Sequence, residues 1–526
     1  MIASPGPRLW WASLALLLSV SACFIVRRVS VVDVSRPADS VQVRTPVKAH
    51  LVDGSTVVYR EGVLVAGGRL TGAGTRYNVT LTDPTPTAEL ALDSVVALES
   101  FRTSTDAGAT LGISTLATVG VVGLSVAVAC AIDPKCFGSC PTFYTDSAGT
   151  PVLEAEGFSY SIVPLFESRD VDRLRARPGP DDTLRLEVRN EAFETHFINH
   201  LELLEARHRP GEFVAPDPQG HPVAATGSAP PRWARDRAGR DVRDLLADAD
   251  GWVYATAPGV LARVSAADLE DAIELRFEAP EYAPEQGDSL ALVLRLRNSL
   301  LNTVLLYDVM LGDAGARSID WQARDLSRLG PALALGTWYG SRMGLRVDVW
   351  RGTSWDPVDR VKDTGPVAWK DVAVPLPRVA GRELRVRLRF PADNWRIDRV
   401  ALASSIRRPE LRVLQLAQVA ALGGSAEPDA YASLRAPDSR YLETRPGQAF
   451  IAGWDAGQAA EGTERTFFLA AQGYYIEWIR RGWITSARDT TTFRPGDAAL
   501  LRAIERWRQV QDTLERRFYA TRVPVR

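Results

Sequence analysis

The chain reads as a mainly β, multi-domain protein, and three observations predict this. Its 526 residues exceed what one hydrophobic core organises, so about three or four domains are expected. Apolar residues recur at alternate positions in many short runs. An Asp-x-x-Gly turn signature also repeats, at Asp146–Gly149, Asp217–Gly220 and Asp236–Gly239. There the Asp side chain caps the turn while Gly takes positive φ, the chemistry of type I turns and bulged hairpins.

In order along the chain, residues 1–23 carry a short basic leader, an apolar run and small residues before Cys23, the layout of a secretory signal. Residues 29–105 predict a small β-barrel or sandwich, with a hairpin turn at Asp53-Gly54 and bends at Gly67-Gly68 and Gly72/Gly74. Residues 107–132 hold no charge. As a helix they would reach about 39 Å, more than the ~30 Å of hydrocarbon in a bilayer. Gly and Ala at four-residue spacing (Gly108/Gly112, Gly123/Ala127/Ala131) suit close helix approach in lipid. A membrane-associated helix is therefore expected, with a buried helix of a soluble domain as the competing reading.

Residues 141–280 predict a hairpin-rich β domain, with Leu184/Leu186/Val188 and Ile273/Leu275/Phe277 on buried faces. The "APEYAPEQG" segment at 279–287 reads as a boundary. A β-sandwich is expected over 286–405, from Leu290/Leu292/Leu294/Leu296, Leu345/Val347/Val349 and Leu384/Val386/Leu388/Phe390. Residues 428–526 predict a short β unit and a C-terminal helix, with Leu500, Ile504, Trp507, Gln511 and Leu514 along one face.

The "VSAC" at 20–23 resembles the lipobox of bacterial lipoproteins. The resemblance implies acylation of Cys23, and Phe24 after it implies outer-membrane sorting, hence an envelope protein facing the periplasm. An uncleaved first helix, with Arg27 and Arg28 held inside, is the alternative. One full crossing by 107–132 would send the remainder to the opposite side, which a shallow hairpin at Gly120 or Gly123 avoids. The segments "CFGSCPTFY", "EVRNEAFETHFINHLELLE" and "ERTFFLAAQGYYIEWIR" are similar to parts of uncharacterised bacterial envelope proteins, over roughly 105–260 and 460–480. Those share a membrane-proximal apolar stretch followed by a Cys-Pro-x-x-Tyr element, which implies location and architecture but no activity.

Chemistry is less legible. A formal net charge of −2 excludes the basic footprint of a nucleic-acid binder. Cys136 and Cys140 suit a periplasmic disulfide, and no CxxC points to zinc. His196 and His200, with His208 nearby, lack the Glu of HExxH and read as exposed strand histidines. Asp248-Ala-Asp250-Gly251 lacks the twelfth-position Glu of a calcium loop, and Gly340-Ser341 lacks the GxSxG order. No metal, cofactor or catalytic residue is therefore expected. Two features suit binding. Trp321, Trp338, Trp350, Trp355, Trp369 and Trp395, with Tyr339, crowd into 286–405. Most suit a core; exposed members such as Trp338, Tyr339 and Trp355 would stack on sugars or anchor a protein. Arg385, Arg387 and Arg389 form a polar stripe near Arg295 and Arg297, suited to anionic lipopolysaccharide or phosphate, or to a salt-bridge ladder. The expected function is a membrane-anchored, non-enzymatic binding or scaffold module of the envelope, whose partner is a protein or a glycan. A carbohydrate-binding or carbohydrate-active (hydrolytic) envelope protein is the alternative.

Overall fold

Alternation decides the architecture: the described residues are 48% strand and 18% helix. The computed structural model describes residues 40–78, 84–100, 140–147, 149–279, 289–378, 381–459, 462–481, 484 and 495–520. Cys23, the stretch 107–132 and Cys136 lie outside the described residues. Among the described residues no helix is long and apolar enough to cross a membrane.

Residues 40–100 supply seven strands of an eight-stranded antiparallel sheet. Its Asp53-Gly54 turn forms as expected, with Gly54 at φ 82° and its N–H donating to Leu51 O at 3.0 Å. The eighth strand is Ile479–Arg480, paired with Val95–Ser100. Beside it His50 stacks flat on Trp478, with centroids 3.9 Å apart.

The next unit is a pair of five-stranded sheets assembled from two distant parts of the chain. One contains Thr142–Ser147, Thr150–Glu156 and Thr183–Arg189 together with Leu416–Ala421 and Ala449–Asp455. In the other, Glu194–His208 pairs along its length with Glu464–Glu477. Leu184, Leu186, Val188, Leu201, Leu203, Phe450, Trp454 and Leu469 belong to their common core. The alternation at 184–189 sends the leucines inward and Arg185 outward, as the sequence implies.

Residues 233–403 fold as a second sandwich. Its five-stranded sheet runs Trp233–Asp236, Glu270–Glu278, Glu383–Pro391, Leu345–Trp350, Trp355–Val361. Its three-stranded sheet runs Lys370–Pro377, Ser289–Asn298, Trp395–Ala403. Strand pairing crosses 279–287, because Glu270–Glu278 registers with Glu383–Pro391. A small sheet (Phe213–Pro216, Pro222–Thr226, Ser405–Arg407) wedges between the sandwiches. One of its faces packs Ala215, Val223 and Ala225 on Ala291, Val293 and Ala373, and the other packs Val214 and Ala224 on Leu204 and Phe468. Ser289–Asn298 is therefore buried on both faces over its first half, the reason "SLALVL" reads as a continuous apolar run rather than an alternation.

Within 286–405 the structure also contains a helical insertion over 301–342, where only strands were expected. "LLNTVLLYDVML" is apolar on every side, and such a helix is stable only when enclosed. Leu301, Val304, Leu305, Leu311 and Ile319 are buried there. The C-terminal helix Asp497–Ala520 closes over it, with Leu500, Ile504, Trp507 and Leu514 buried as the helical spacing predicts.

Candidate functional site: a charge-balanced groove on the second sandwich

Leu384, Val386 and Leu388 fill the sandwich core, so Arg385, Arg387 and Arg389 must project from the outer face of the five-stranded sheet. Register sets their neighbours. Arg387 lies opposite Glu274 on one side and Asp348 on the other, and Arg385 lies opposite Arg276. Arg387 pairs with the buried Asp348 at 2.9 Å, Arg385 reaches Glu274 at 3.8 Å, and Arg389 pairs with Glu270. The tryptophans of this face are half-buried under guanidinium groups. Arg385 lies 5.0 Å from the Trp350 centroid, Arg387 lies 4.5 Å from Trp355, and Arg276 lies 4.4 Å from Trp233. Each arginine is thus neutralised or stacked, which removes the electrostatic basis for an anionic ligand on this stripe. Arg295 and Arg297 are not near it: they stand on the three-stranded sheet, where Arg295 pairs with Asp398 at 3.0 Å and Arg297 covers Trp369 at 4.9 Å.

The other sequence-singled residues go elsewhere. Trp338 and Tyr339 sit on the helix Leu329–Arg342, far from a shared face with Trp355. Trp338 Nε1 donates to Asp497 at 3.1 Å, and the Tyr339 hydroxyl donates to Asp363. Both side chains are half-buried and spend their polar atoms inward. Trp321 and Trp395 are core residues. Cys140 is buried and has no disulfide partner among the described residues, Cys136 lying outside them, and burial raises its thiol well above the ordinary value. The three histidines do lie on one strand, but they are buried rather than exposed. His196 Nε2 meets Glu194 at 2.7 Å and His208 Nε2 meets Thr466 at 2.9 Å. A bulge between Ile198 and His200 breaks the register that equal spacing assumes. Among the described residues no group of three or more His, Cys, Asp or Glu is placed to hold a metal.

Beside the arginine stripe the sheet is concave. A cavity of about 500 Å³ opens there, with Trp233, Ala272 and Glu274 among its lining residues. One rim is the Asp236–Gly239 turn, formed as its sequence demands. Gly239 has φ 80°, its N–H donates to Asp236 O at 2.9 Å, and Asp236 Oδ1 accepts the Arg240 N–H at 2.8 Å. Asp268 also lines the cavity, joined to Arg237 of that turn by an ion pair. Arg235, Arg237, Arg387 and Arg389 line the groove with Asp268, Glu270 and Glu274, while Asp236 and Asp271, also in its lining, are buried, so four positive groups face three negative ones. Hydrogen bonding to Arg237 holds the Asp268 carboxyl below its usual range. Burial pushes Asp271 up, but it accepts hydrogen bonds from Tyr254 and Thr256, each at 2.7 Å, and points into the sandwich. Glu270 is held from two sides, by Arg389 and by Arg342 at 3.2 Å.

Sequence reasoning located Arg387 and Arg389 but missed Trp233, Arg237, Asp268, Glu270 and Glu274. The Asp236–Gly239 turn and the Glu274/Arg276 alternation were visible signals. What placed them opposite Arg385–Arg389 is pairing between strands more than 100 residues apart.

No protein-family model and no curated protein matches the chain. Among solved structures it is similar to the C-terminal CBM6 of LamC from Zobellia galactanivorans, at 7% identity and TM-score 0.14, covering 38% of this chain and 98% of that one. It is also similar to an allantoicase, at 10% identity and TM-score 0.17, covering 54% and 98%. A third is the GH31 alpha-xylosidase of Xanthomonas citri, at 10% identity and TM-score 0.16, covering 84% and 38%. Likenesses of this strength say nothing of what the protein binds.

Proposed function

We propose that the protein is an envelope binding module that holds a neutral, hydroxyl-rich ligand, a short glycan, in the groove beside the Arg385–Arg389 stripe. The observation that supports this is the near balance of charge in a concave site lined by both guanidinium donors and carboxylate acceptors. A sugar hydroxyl donates one hydrogen bond and accepts two, so it needs both kinds of partner. An anion would meet the carboxylates of Asp268, Glu270 and Glu274, and a cation four arginines. Hydrolysis of a glycosidic bond calls for a carboxylic acid that keeps its proton beside the ligand. Asp268 is held ionised and Asp271 is turned inward, so binding is the better-supported activity.

Titration calorimetry with neutral hexose oligosaccharides tests the groove. Binding is expected, and Glu274→Ala should weaken it about tenfold, the scale of one lost hydrogen bond from a charged group. Inorganic phosphate should not compete. A chain that binds no neutral oligosaccharide, or binds equally well with Glu274→Ala, would contradict the reading.

The lipobox-like "VSAC" supports a further part of the same proposal, tethering through an acylated Cys23 to the outer membrane, facing the periplasm. Protein extracted from membranes should have an intact mass that begins at Cys23 and includes acyl chains. A mass retaining Met1 without lipid would exclude this anchor.

A further inference from the structure

Among the described residues six large apolar side chains are exposed, and three of them, Leu165, Leu329 and Leu333, belong to two elements packed together. Leu329 and Leu333 are one turn apart on Leu329–Arg342, at 62% and 56% exposure. Leu165 lies on the short turn Pro164–Phe166. That turn abuts the helix closely enough that a Cβ on Gly336 would sit 3.1 Å from the Phe166 ring. The helix is not free to turn its leucines inward. Its other face buries Ala332 and Leu335 and is clamped by Trp338 and Arg342 to Asp497 and by Tyr339 to Asp363. Residues 329–341 carry no charge, whereas Arg324 and Arg328 stand at the entrance of the helix with side chains 42% and 61% exposed. Asp325 lies 3.2 Å from Arg324 and 3.9 Å from Arg328, and so offsets one of the two charges.

We infer that this leucine face seats the folded body on an anionic phospholipid bilayer. The leucines would enter the headgroup–acyl boundary while the arginines, long and flexible, reach lipid phosphates at the rim. The charge at the rim favours this occupant over a second copy, which would bring arginines of like sign to the edge of the same patch. The contact is independent of the glycan groove and of acylation at Cys23.

The test uses the unacylated full chain (Cys23→Ser), sedimented with vesicles of phosphatidylethanolamine and phosphatidylglycerol at three to one. Leu329→Ser/Leu333→Ser is expected to lower the partition constant about tenfold or more, given the apolar area the pair would bury. Parent binding should also fall with added salt and on phosphatidylcholine alone. Both chains retain 107–132, so amide exchange is read over 329–342 as well, where vesicles should slow exchange in the parent. Equal partitioning with unchanged exchange over 329–342 would overturn the proposal. So would a vesicle-free dimer that the double substitution dissociates, which would assign the face to a second copy. Loss of vesicle binding with oligosaccharide affinity intact identifies failure of this contact alone.

Discussion

Trp507→Ala is expected to destabilise the protein by about 3–5 kcal/mol, the range for emptying a buried aromatic site. Trp507 is fully buried on the C-terminal helix, between Ile504 and Leu514 on the face that covers the helical insertion. Its Nε1 donates to Asp393 Oδ2 at 2.7 Å. Asp393 is itself buried, holds a left-handed backbone at φ 62°, and pairs with Arg396 at 2.8 Å. Removing the indole therefore opens a cavity and strips one hydrogen bond from a carboxylate that cannot reach water. Trp507→Phe separates the two effects: it keeps most of the packing and should cost about 1–3 kcal/mol. The measurement is the urea midpoint of each variant. An alanine variant as stable as the parent would mean that the C-terminal helix does not close the core as described.

That helix shows what a sequence makes legible. Its face is local, set by a 3.6-residue period within one segment, and Leu500, Ile504, Trp507 and Leu514 were all readable. The strand alternations at 184–188, 273–277 and 384–390 are local in the same sense, and so are the Asp-x-x-Gly turns. Gly149 at φ 84° donating to Asp146 Oδ1 at 2.7 Å is the geometry its four residues imply. What was not readable is partnership. Nothing in "ETHFINHLELLEARH" announces that it pairs with "ERTFFLAAQGYYIE" some 260 residues later. In the folded unit both faces of that strand are largely covered, and His196 and His200 are out of solvent. The groove has the same history. Arg387 and Arg389 were visible as a polar stripe, but their neutralisation by Asp348 and Glu270 depends on strands from three separate segments. A stripe of one sign in sequence became a balanced surface in the sheet, and the class of ligand proposed for it changed accordingly.

Stability is expected to fall as pH rises from 6.5 to 8.5, by roughly 2–3 kcal/mol, because buried carboxyl groups keep protons that the unfolded chain releases. Burial raises Glu194 to about 8, and Glu156 to about 7 even though Glu156 accepts N–H bonds from Val367 and Ala368. Burial also lowers His196 to about 3. The 2.7 Å contact between Glu194 and His196 is therefore a hydrogen bond from a neutral acid to a neutral imidazole, not an ion pair. The two kinds of group act on opposite sides of pH 6.5. A carboxyl raised in the folded state stabilises fully below its unfolded pKa of 4.5, and that contribution is lost as pH climbs through 7 for Glu156 and 8 for Glu194. A histidine lowered in the folded state stabilises above 6.5, and its contribution is lost as pH falls toward 3. Between 6.5 and 8.5 the histidine adds only the tail of its titration, about 0.4 kcal/mol in the opposite sense, and the carboxyls decide the sign. Glu477, buried beside Glu194 and raised as well, acts in the same direction. Glu194→Gln keeps a donor toward His196 without a titrating proton. It should flatten most of the slope, since Glu194 has the larger share of the titration in this window. Urea midpoints at pH 6.5 and 8.5, at fixed ionic strength, measure both chains. Coincident midpoints for the parent would show that Glu194 and Glu156 ionise in the folded protein, and the neutral pairing with His196 would have to be abandoned.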